Sequence, residues 1–482
     1  MSTAEFIVFH ASERPNATAL ITGGREITYA DFERDLGRMA QALAALGVAP
    51  GQVVVVDADD VYLHFLLLIA LEAMGAASAS FPPQASEAYH PLLSRADLVL
   101  SEPGCAIVGT RRHHTMTAEW LQTVWALPSG DRRAVAPIAA EAPVRLARTS
   151  GTTGAMKTLV LPRRQHENRL QRYAEAHQFT ENSRYLLTMP LAAFPVYGPA
   201  IACLRSGGTL VFEPITRMTS VQALSAHGIT DVSLMPLHLK HMLDSLPADF
   251  PKPPRLTVYI FGAPISAAFR QQALARLATV VHGSYGCNEA GFISIAGAGD
   301  DDGTGTVWPG VQVEVVDDDD VPVPNGEIGR IRVRNEFMVE GYLDDPEATR
   351  RMFRDGWFYP GDSGILEDAR RLRVLGRSDE LLNVGGVKYS PDNLENLIAR
   401  DAHVRDVAVC SRQNATGLEE VCVFVVTDGI GDHDLPARVL GALHRFQLGR
   451  VHILKLDAIP RTGAGKIHRS RLRSLAKAAV QG

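Results

Sequence analysis

Residues 27–76, ITYADFERDLGRMAQALAALGVAPGQVVVVDADDVYLHFLLLIALEAMGA, switch between two hydrophobic periods. In TYADFERDLGRMAQALAAL (28–46) the apolar residues recur at helical spacing, VVVVDA (53–58) is a short run of the buried-strand kind, and HFLLLIALEAMGA (64–76) is helical again. Strand alternating with helix predicts a layered α/β body. The pattern returns in YLLTMPL (185–191), GTLVFEP (208–214), TDVSLMP (230–236), LTVYIFG (256–262) and TVVHGSYG (279–286), each an apolar run closed by a turn signal. Together these segments predict one large N-terminal α/β domain of several lobes.

Further along the texture changes. VQVEVVD (311–317) and GRIRVR (329–334), joined by DDDDVPVPNGE, read as a β-rich antiparallel segment. The four aspartates 317–320 lack the alternating ligands, central Gly and terminal Glu of a calcium loop, so a solvated hairpin turn is expected there. Beyond Arg377 a small α/β unit is expected, with strands near 407–411 and 421–427 and a helix near 436–447. This spacing predicts domains at 1–376 and 377–482. The final RSRLRSLAKAA (469–479) reads as a helix exposing an arginine face, which requires no nucleic acid.

Composition narrows the function. The chain has 482 residues, 46% hydrophobic and 21% charged, enough for a sizeable core and about three folding units. Its net charge of −6 has the wrong sign for a protein that lives on nucleic acid or anionic membrane. Cys105, Cys203, Cys287, Cys410 and Cys422 form no CxxC pair, which suggests neither a disulfide framework nor a zinc site and fits a cytoplasmic location. The start, MSTAEFIVFHASERPN, lacks the pattern of a secretory signal. The most apolar stretch, 61–79, carries His64 and Glu72 and reads as a buried helix, not a membrane span.

Four segments carry chemistry. TSGTTGAMK (149–157) has glycines that let backbone N–H groups turn toward a phosphate, hydroxyl donors, and Lys157 for charge. It is not a Walker loop, because Met156 stands where that motif needs Gly before Lys. SYGCNEAG (284–291) follows an apolar run, so Glu289 is expected in a loop at a strand's end, where a glutamate beside a triphosphate suits magnesium. In the same loop Cys287 reads as packing. GWFYPGD (356–362) and GRSDELLNVGG (376–386) offer Asp362 to a ribose and Arg377 to an anion, and PRTGAGK (460–466) presents Lys466 on a glycine loop. Taken singly, each has an ordinary structural explanation as a turn or a surface group.

Their order and co-occurrence are far more specific. TSGTTGAMK, YGCNEAG, GWFYPGD, GRSDELLNVGG and PRTGAGK together resemble the adenylate-forming superfamily of acyl-CoA synthetases, peptide-synthetase adenylation domains and luciferases, and the likeness reaches from about Pro15 to Arg469. The chain departs from the family's pattern at Met156 (usually Pro), Thr158 (usually Gly), Asn288 (usually Thr) and Asn393-Leu394-Glu395 (commonly EIE).

The resemblance implies a two-step ligase that uses Mg·ATP to turn a carboxylate into an acyl adenylate, then transfers the acyl group to a thiol. It implies that Thr149, Ser150, Gly151, Thr152, Thr153, Gly154 and Lys157 hold the terminal phosphates and Glu289 the metal. By the same likeness Gly262, Ala263, Pro264 and Tyr285 surround adenine, Gly286 and Asn288 complete the nucleotide site, Asp362 binds ribose and Arg377 helps hold the nucleotide. Lys466, Glu289 and Thr152 would be the catalytic set. The implied small domain is mobile about Asp379, with Ser390 and Pro391 as N-cap and first residue of a helix. Gly385 and Gly386 would line the passage of a pantetheine thiol.

Ala193, Phe194, Pro195, Tyr197 and Gly283 fall at the implied acid pocket. Amino-acid-activating relatives place there an Asp that pairs with the substrate amine, whereas 191–208 contains no Asp or Glu. An acid without an α-ammonium group, aromatic or of medium length and apolar, is therefore expected. The thiol implied first is CoA, with the phosphopantetheine of an acyl carrier protein as the alternative. Two other classes remain: a nucleotide switch, disfavoured by the absent Gly-Lys step, and an inactive nucleotide-binding module of the same fold.

Overall fold

The computed structural model describes residues 1–81, 90–104, 112–128, 138–150, 156–214, 218–263, 265, 267–297, 300, 304–343, 345–384, 387–414, 419–428, 434–444, 446, 448–461 and 467–479. Helix Tyr29–Ala45 starts where Thr28 and Asp31 form a reciprocal capping box, and its Phe32, Leu36, Met39 and Leu43 stripe is buried. Strand Val53–Asp57 and helix Val61–Met74 follow. The helix is apolar all round and buried on nearly every side, which satisfies the hydrophobic run without a membrane.

One correction concerns 61–79. The helix ends at Gly75, whose φ of +75° is the left-handed C-cap geometry that glycine supplies, and Ala77–Ser80 is a buried strand instead of more helix. The polar residues of this stretch are partnered: His64 reaches the Ala58 carbonyl and Ser80 Oγ, and Glu72 accepts the N–H of Thr3 at 2.9 Å. No helix among the described residues is long and apolar enough to cross a membrane.

The large N-terminal part is a multi-lobed α/β assembly with two sheets. One has the order His113–Thr115, Leu98–Ser101, Val53–Asp57, Ala77–Ser80, Pro143–Ser150, Met156–Pro162, parallel except for its last strand. The other has a parallel half made of Thr18–Thr22, Thr209–Phe212, Arg184–Leu186, Asp231–Leu234, Thr257–Ile260 and Val280–Cys287. At Val280–Cys287 it changes character, because Gly291–Ala296 returns antiparallel and every later strand of this sheet, through Arg371–Arg377, pairs antiparallel. The expected strand runs at 185–191, 208–214, 230–236, 256–262, 279–286, 311–317 and 329–334 lie in this sheet, whereas 53–58 lies in the first. The 317–320 run is a turn in which Asp317 Oδ1 accepts the N–H groups of Asp319 and Val321.

The small C-terminal α/β part has the sheet Val404–Gln413, Glu419–Thr427, Val451–Lys455 and the pair Leu382–Val384 with Val387–Tyr389. Helix Pro391–Ile398 is capped by Ser390, whose Oγ accepts the N–H of Asn393. Helix Leu435–Leu443 is shorter than the expected 436–447. A second correction is the terminal helix Arg469–Ala479. It does not expose one arginine face, because Arg469 is buried against Glu380, Asp392 and Glu395 and donates to the Val409 carbonyl.

Candidate active site

Where the larger sheet changes from parallel to antiparallel, the turn 288–290 presents Asn288 and Glu289. Gly291, with φ of +70°, opens the returning strand, and a Cβ there would stand 3.2 Å from the Phe337 ring. Glu289 is buried, as the expected loop at a strand's end does not by itself require. Thr149 Oγ1 donates to Glu289 Oε1 at 3.2 Å and Tyr342 Oη donates to the same oxygen at 2.9 Å. Oε2 takes no hydrogen bond among the described residues.

Thr149 lies near the end of Pro143–Ser150 and stands opposite Lys157 of Met156–Pro162 in an antiparallel ladder, so the glycine-rich segment joins two adjacent strands. Ser150 ends the first strand. Gly151, Thr152, Thr153 and Gly154 lie outside the described residues. The Lys157 ammonium sits 4.6 Å from the centre of the Tyr342 ring. Burial and then the charge of Arg351 push its pKa down, against the pull of Asp345 and Glu289. Asn288, the departure from Thr, donates from Nδ2 to the Arg148 carbonyl at 3.2 Å and so ties the turn to the phosphate-loop strand.

A second cluster adjoins the first through the same strand. Tyr285 Oη donates to Asp362 Oδ2 at 2.7 Å, and Arg377, opposite Asp362 in the ladder, donates to Asp362 Oδ1 at 3.2 Å and to the Pro360 carbonyl. Burial and then the Asp362 charge raise the Tyr285 phenol well above its usual range, so it stays a donor. Gly286 has no room for a side chain, since a Cβ would fall 2.5 Å from the Gly291 carbonyl oxygen. Ser284 Oγ donates to the Ile260 carbonyl, which aligns this strand with the end that leads to Gly262 and exposed Ala263. Pro264 lies outside the described residues.

Ala193 caps helix Phe194–Arg205, Pro195 is in its first turn, and Phe194 and Tyr197 are buried. Arg145 Cζ lies 3.8 Å from the centre of the Tyr197 ring, and His166 Nε2 is 3.2 Å from Tyr197 Oη. Arg145 is itself held by Ser78, Ser80 and the Leu191 carbonyl, with no carboxylate partner among the described residues. At Gly283 a Cβ would lie 3.4 Å from that of Ala296. Asp379 is exposed and follows the Arg371–Arg377 strand, and Gly385, Gly386 and Lys466 lie outside the described residues. Cys287 is a packed thiol that accepts the N–H of Ala290, pushed well above its usual range by burial.

Sequence reasoning misses four residues here. Tyr342 sits in a loop with no motif, His166 and Arg169 sit in the strongly polar helix Arg163–His177 that reads as surface, and Arg145 interrupts a strand. Arg169 is buried and donates to backbone carbonyls around the Glu289 turn. A charged residue in an apolar strand is the one signal available, and in PVRLARTS it marks Arg148 as well as Arg145.

Among the described residues no group of three or more His, Cys, Asp or Glu side chains could hold a metal ion. A single carboxylate with one unbonded oxygen fits Mg²⁺ when a nucleotide's phosphates and water supply the other ligands, and fits neither zinc nor a protein-caged calcium.

Residues 8–343 match the family model described as AMP-binding enzyme. The chain is similar to 4-coumarate–CoA ligase 5 of Oryza sativa subsp. japonica, with 26% identity over 99% of this chain and 95% of the rice protein. It is also similar to indoleacetate–CoA ligase of Aromatoleum aromaticum, with 27% identity over 98% of each chain. Its fold is similar to that of the anthranilate CoA ligase AuaEII in complex with anthranoyl-AMP, with a TM-score of 0.88, 21% identity, and 100% of this chain and 98% of that one covered.

Proposed function

We propose, from the premise that this chain belongs to the family of AMP-binding enzymes, that it activates an aromatic or medium-length apolar acid and passes the acyl group to CoA. The chain is an AMP-forming acid–thiol ligase. The choice of acid and of CoA over a carrier protein is the proposal. The observation that carries the adenylation chemistry is the hydrogen bond from Thr149 to Glu289, which joins the strand entering the phosphate loop to the candidate metal ligand, with Lys157 alongside.

In the first half-reaction a carboxylate oxygen of the acid bonds to the α-phosphorus of ATP while the bond to the β-phosphate oxygen breaks, releasing pyrophosphate. No protein nucleophile is needed, so the chain's work is to position reactants and stabilise charge. Thr149, Lys157 and the loop between them would hold the terminal phosphates, and Tyr285 with Asp362 and Arg377 would fix adenine and ribose. Glu289 would hold Mg²⁺, which when bound neutralises phosphate charge. Lys466 would offset the charge that grows at the α-phosphoryl oxygens. In the second half-reaction the thiol sulfur bonds to the acyl carbon, the carbon–oxygen bond to AMP breaks, and the thiol proton leaves to solvent.

Two features support an acid without an α-ammonium group. The residues from 191 to 208 carry no carboxylate. Cations, Arg145 and Arg169, lie beside Tyr197 and Phe194. A substrate ammonium there would be desolvated and unpaired, at a cost on the order of 3 to 5 kcal/mol. The relatives named for coumarate and indoleacetate favour CoA as the thiol and an aromatic acid. We also place the domain boundary near 376–379, with Asp379 as hinge and Gly385 and Gly386 at the thiol passage, and the enzyme in the cytoplasm.

The test is acid-dependent exchange of pyrophosphate into ATP over benzoate-like, cinnamate-like, fatty and amino acids, followed by addition of CoA or of phosphopantetheinylated carrier protein. Exchange with aryl acids and acyl-CoA formation are expected. Exchange with free amino acids alone, or transfer only to the carrier, would overturn the specific reading.

A further inference from the structure

We infer that Arg169 is a positioning residue for the first half-reaction, fixing the backbone that carries Glu289 from beneath the acid pocket. The inference rests on the reading of Glu289 as the magnesium ligand.

Arg169 sits on helix Arg163–His177 and is 2% exposed. Its guanidinium donates through Nη1 to the Asn288 carbonyl at 2.7 Å, through Nη2 to the Glu289 carbonyl at 2.9 Å and through Nε to the Phe337 carbonyl at 2.9 Å. No carboxylate pairs with it among the described residues. A buried cation with only carbonyl partners is costly to keep, and a neutral donor would leave fewer of these oxygens satisfied. The planar fork lets one side chain bind three diverging oxygens, which the compact ammonium of lysine does not reproduce.

The turn has little other freedom. The Asn335 amide donates to the Ala290 carbonyl at 3.0 Å, and Val339 N–H also donates to the Glu289 carbonyl. Beside these bonds Arg169 holds the consecutive carbonyls 288 and 289, which orients the backbone from which the Glu289 side chain leaves toward Thr149 and Tyr342. On its other side Arg169 Cζ lies 5.7 Å from the centre of the Phe194 ring. Tyr173, one helical turn on, packs beside Phe194 and fills the space where a side chain at Gly198 would stand, 2.4 Å from a Cβ there. One helix thus lines the candidate acid pocket and grips the turn with the candidate metal ligand.

The experiment compares Arg169→Lys, Arg169→Met and Glu289→Gln with the parent enzyme. It measures melting temperature, the Mg²⁺ dependence of acid-dependent pyrophosphate exchange, kcat and acid KM, and Mn²⁺ binding to the ATP complex by electron paramagnetic resonance. Arg169→Lys is expected to fold and to weaken both Mn²⁺ binding and exchange about tenfold to a hundredfold, the scale for losing an outer-shell partner. The acid KM should change far less than kcat. If Glu289→Gln weakens Mn²⁺ binding but Arg169→Lys leaves it and kcat unchanged, the role of Arg169 is overturned. If Glu289→Gln leaves Mn²⁺ binding unchanged, the magnesium reading fails and takes this inference with it. Should Arg169→Met not fold, Arg169→Lys decides the matter.

Discussion

The Arg473 guanidinium donates to the backbone carbonyl of Asp379 at 3.2 Å. One turn earlier in the same helix, Arg469 is ion-paired with Glu380, the next residue along from Asp379. The terminal helix that holds the Asp379 backbone begins three residues after Lys466 in the sequence.

If Asp379 is the hinge, Asp379→Pro should slow the thiol step at least about tenfold while leaving pyrophosphate exchange nearly intact, because proline fixes φ near about −65°. Lys466→Ala should do the opposite and slow adenylate formation roughly 10²- to 10³-fold. Each variant is assayed separately for exchange and for thioester formation from a supplied acyl adenylate. Equal loss of both steps in both variants would rule out alternation about this residue.

Asp362→Asn keeps the shape that accepts the Tyr285 hydroxyl but removes the charge facing Arg377. The KM for ATP should rise about fivefold to tenfold, with acid KM unchanged, since a charge-assisted hydrogen bond is roughly twice as strong as a neutral one. An unaltered ATP KM would return Asp362 to a purely structural role.

Glu289→Gln can still accept from Thr149 and Tyr342, so the fold should survive. The Mg²⁺ concentration for half-maximal exchange should rise by about an order of magnitude or more, because the amide lacks the charge a hard divalent ion needs. A titration of exchange activity with Mg²⁺ checks this.

Asp231 is buried at the start of its strand, and burial pushes its carboxyl from an ordinary 3.8 up to about 6. Below the ordinary value both folded and unfolded chains hold the proton. As pH rises through the window to about 6 the unfolded chain loses it first, so stability falls, and above about 6 the full penalty is present. Asp231→Asn can still accept from Thr230 Oγ1. Its stability relative to the parent should therefore increase by about 2 kcal/mol between pH 4.5 and pH 7.5. Paired melting curves at the two pH values would refute this if the gap did not widen.

Most strands of the larger sheet, and Val53–Asp57 of the smaller, can be read from residue order alone, because an apolar run bounded by turn residues has few other ways to bury itself. Val53–Asp57, Asp231–Leu234 and Thr257–Ile260 fall inside the runs that predict them. The Ser390 cap and Pro391 start are equally local. So are the positions of Glu289, Asp362 and Arg377, since glycine-rich motifs mark them whatever surrounds them. Boundaries are less legible. In 61–79 hydrophobicity is uniform, and only the backbone at Gly75 separates helix from strand.

What depends on tertiary structure is convergence. Arg169 meets Phe337 across 168 positions and Glu289 across 120, and Thr149 meets Glu289 across 140. Periodicity reports only which face of a segment prefers water, and in the polar helix Arg163–His177 it reports a surface. Arg169 and Arg469 nevertheless lie buried, because the carbonyls and carboxylates that compensate their charge come from segments distant in sequence. Residue types near in sequence fix local conformation, whereas a buried charge is tolerated only where the folded chain supplies its partners.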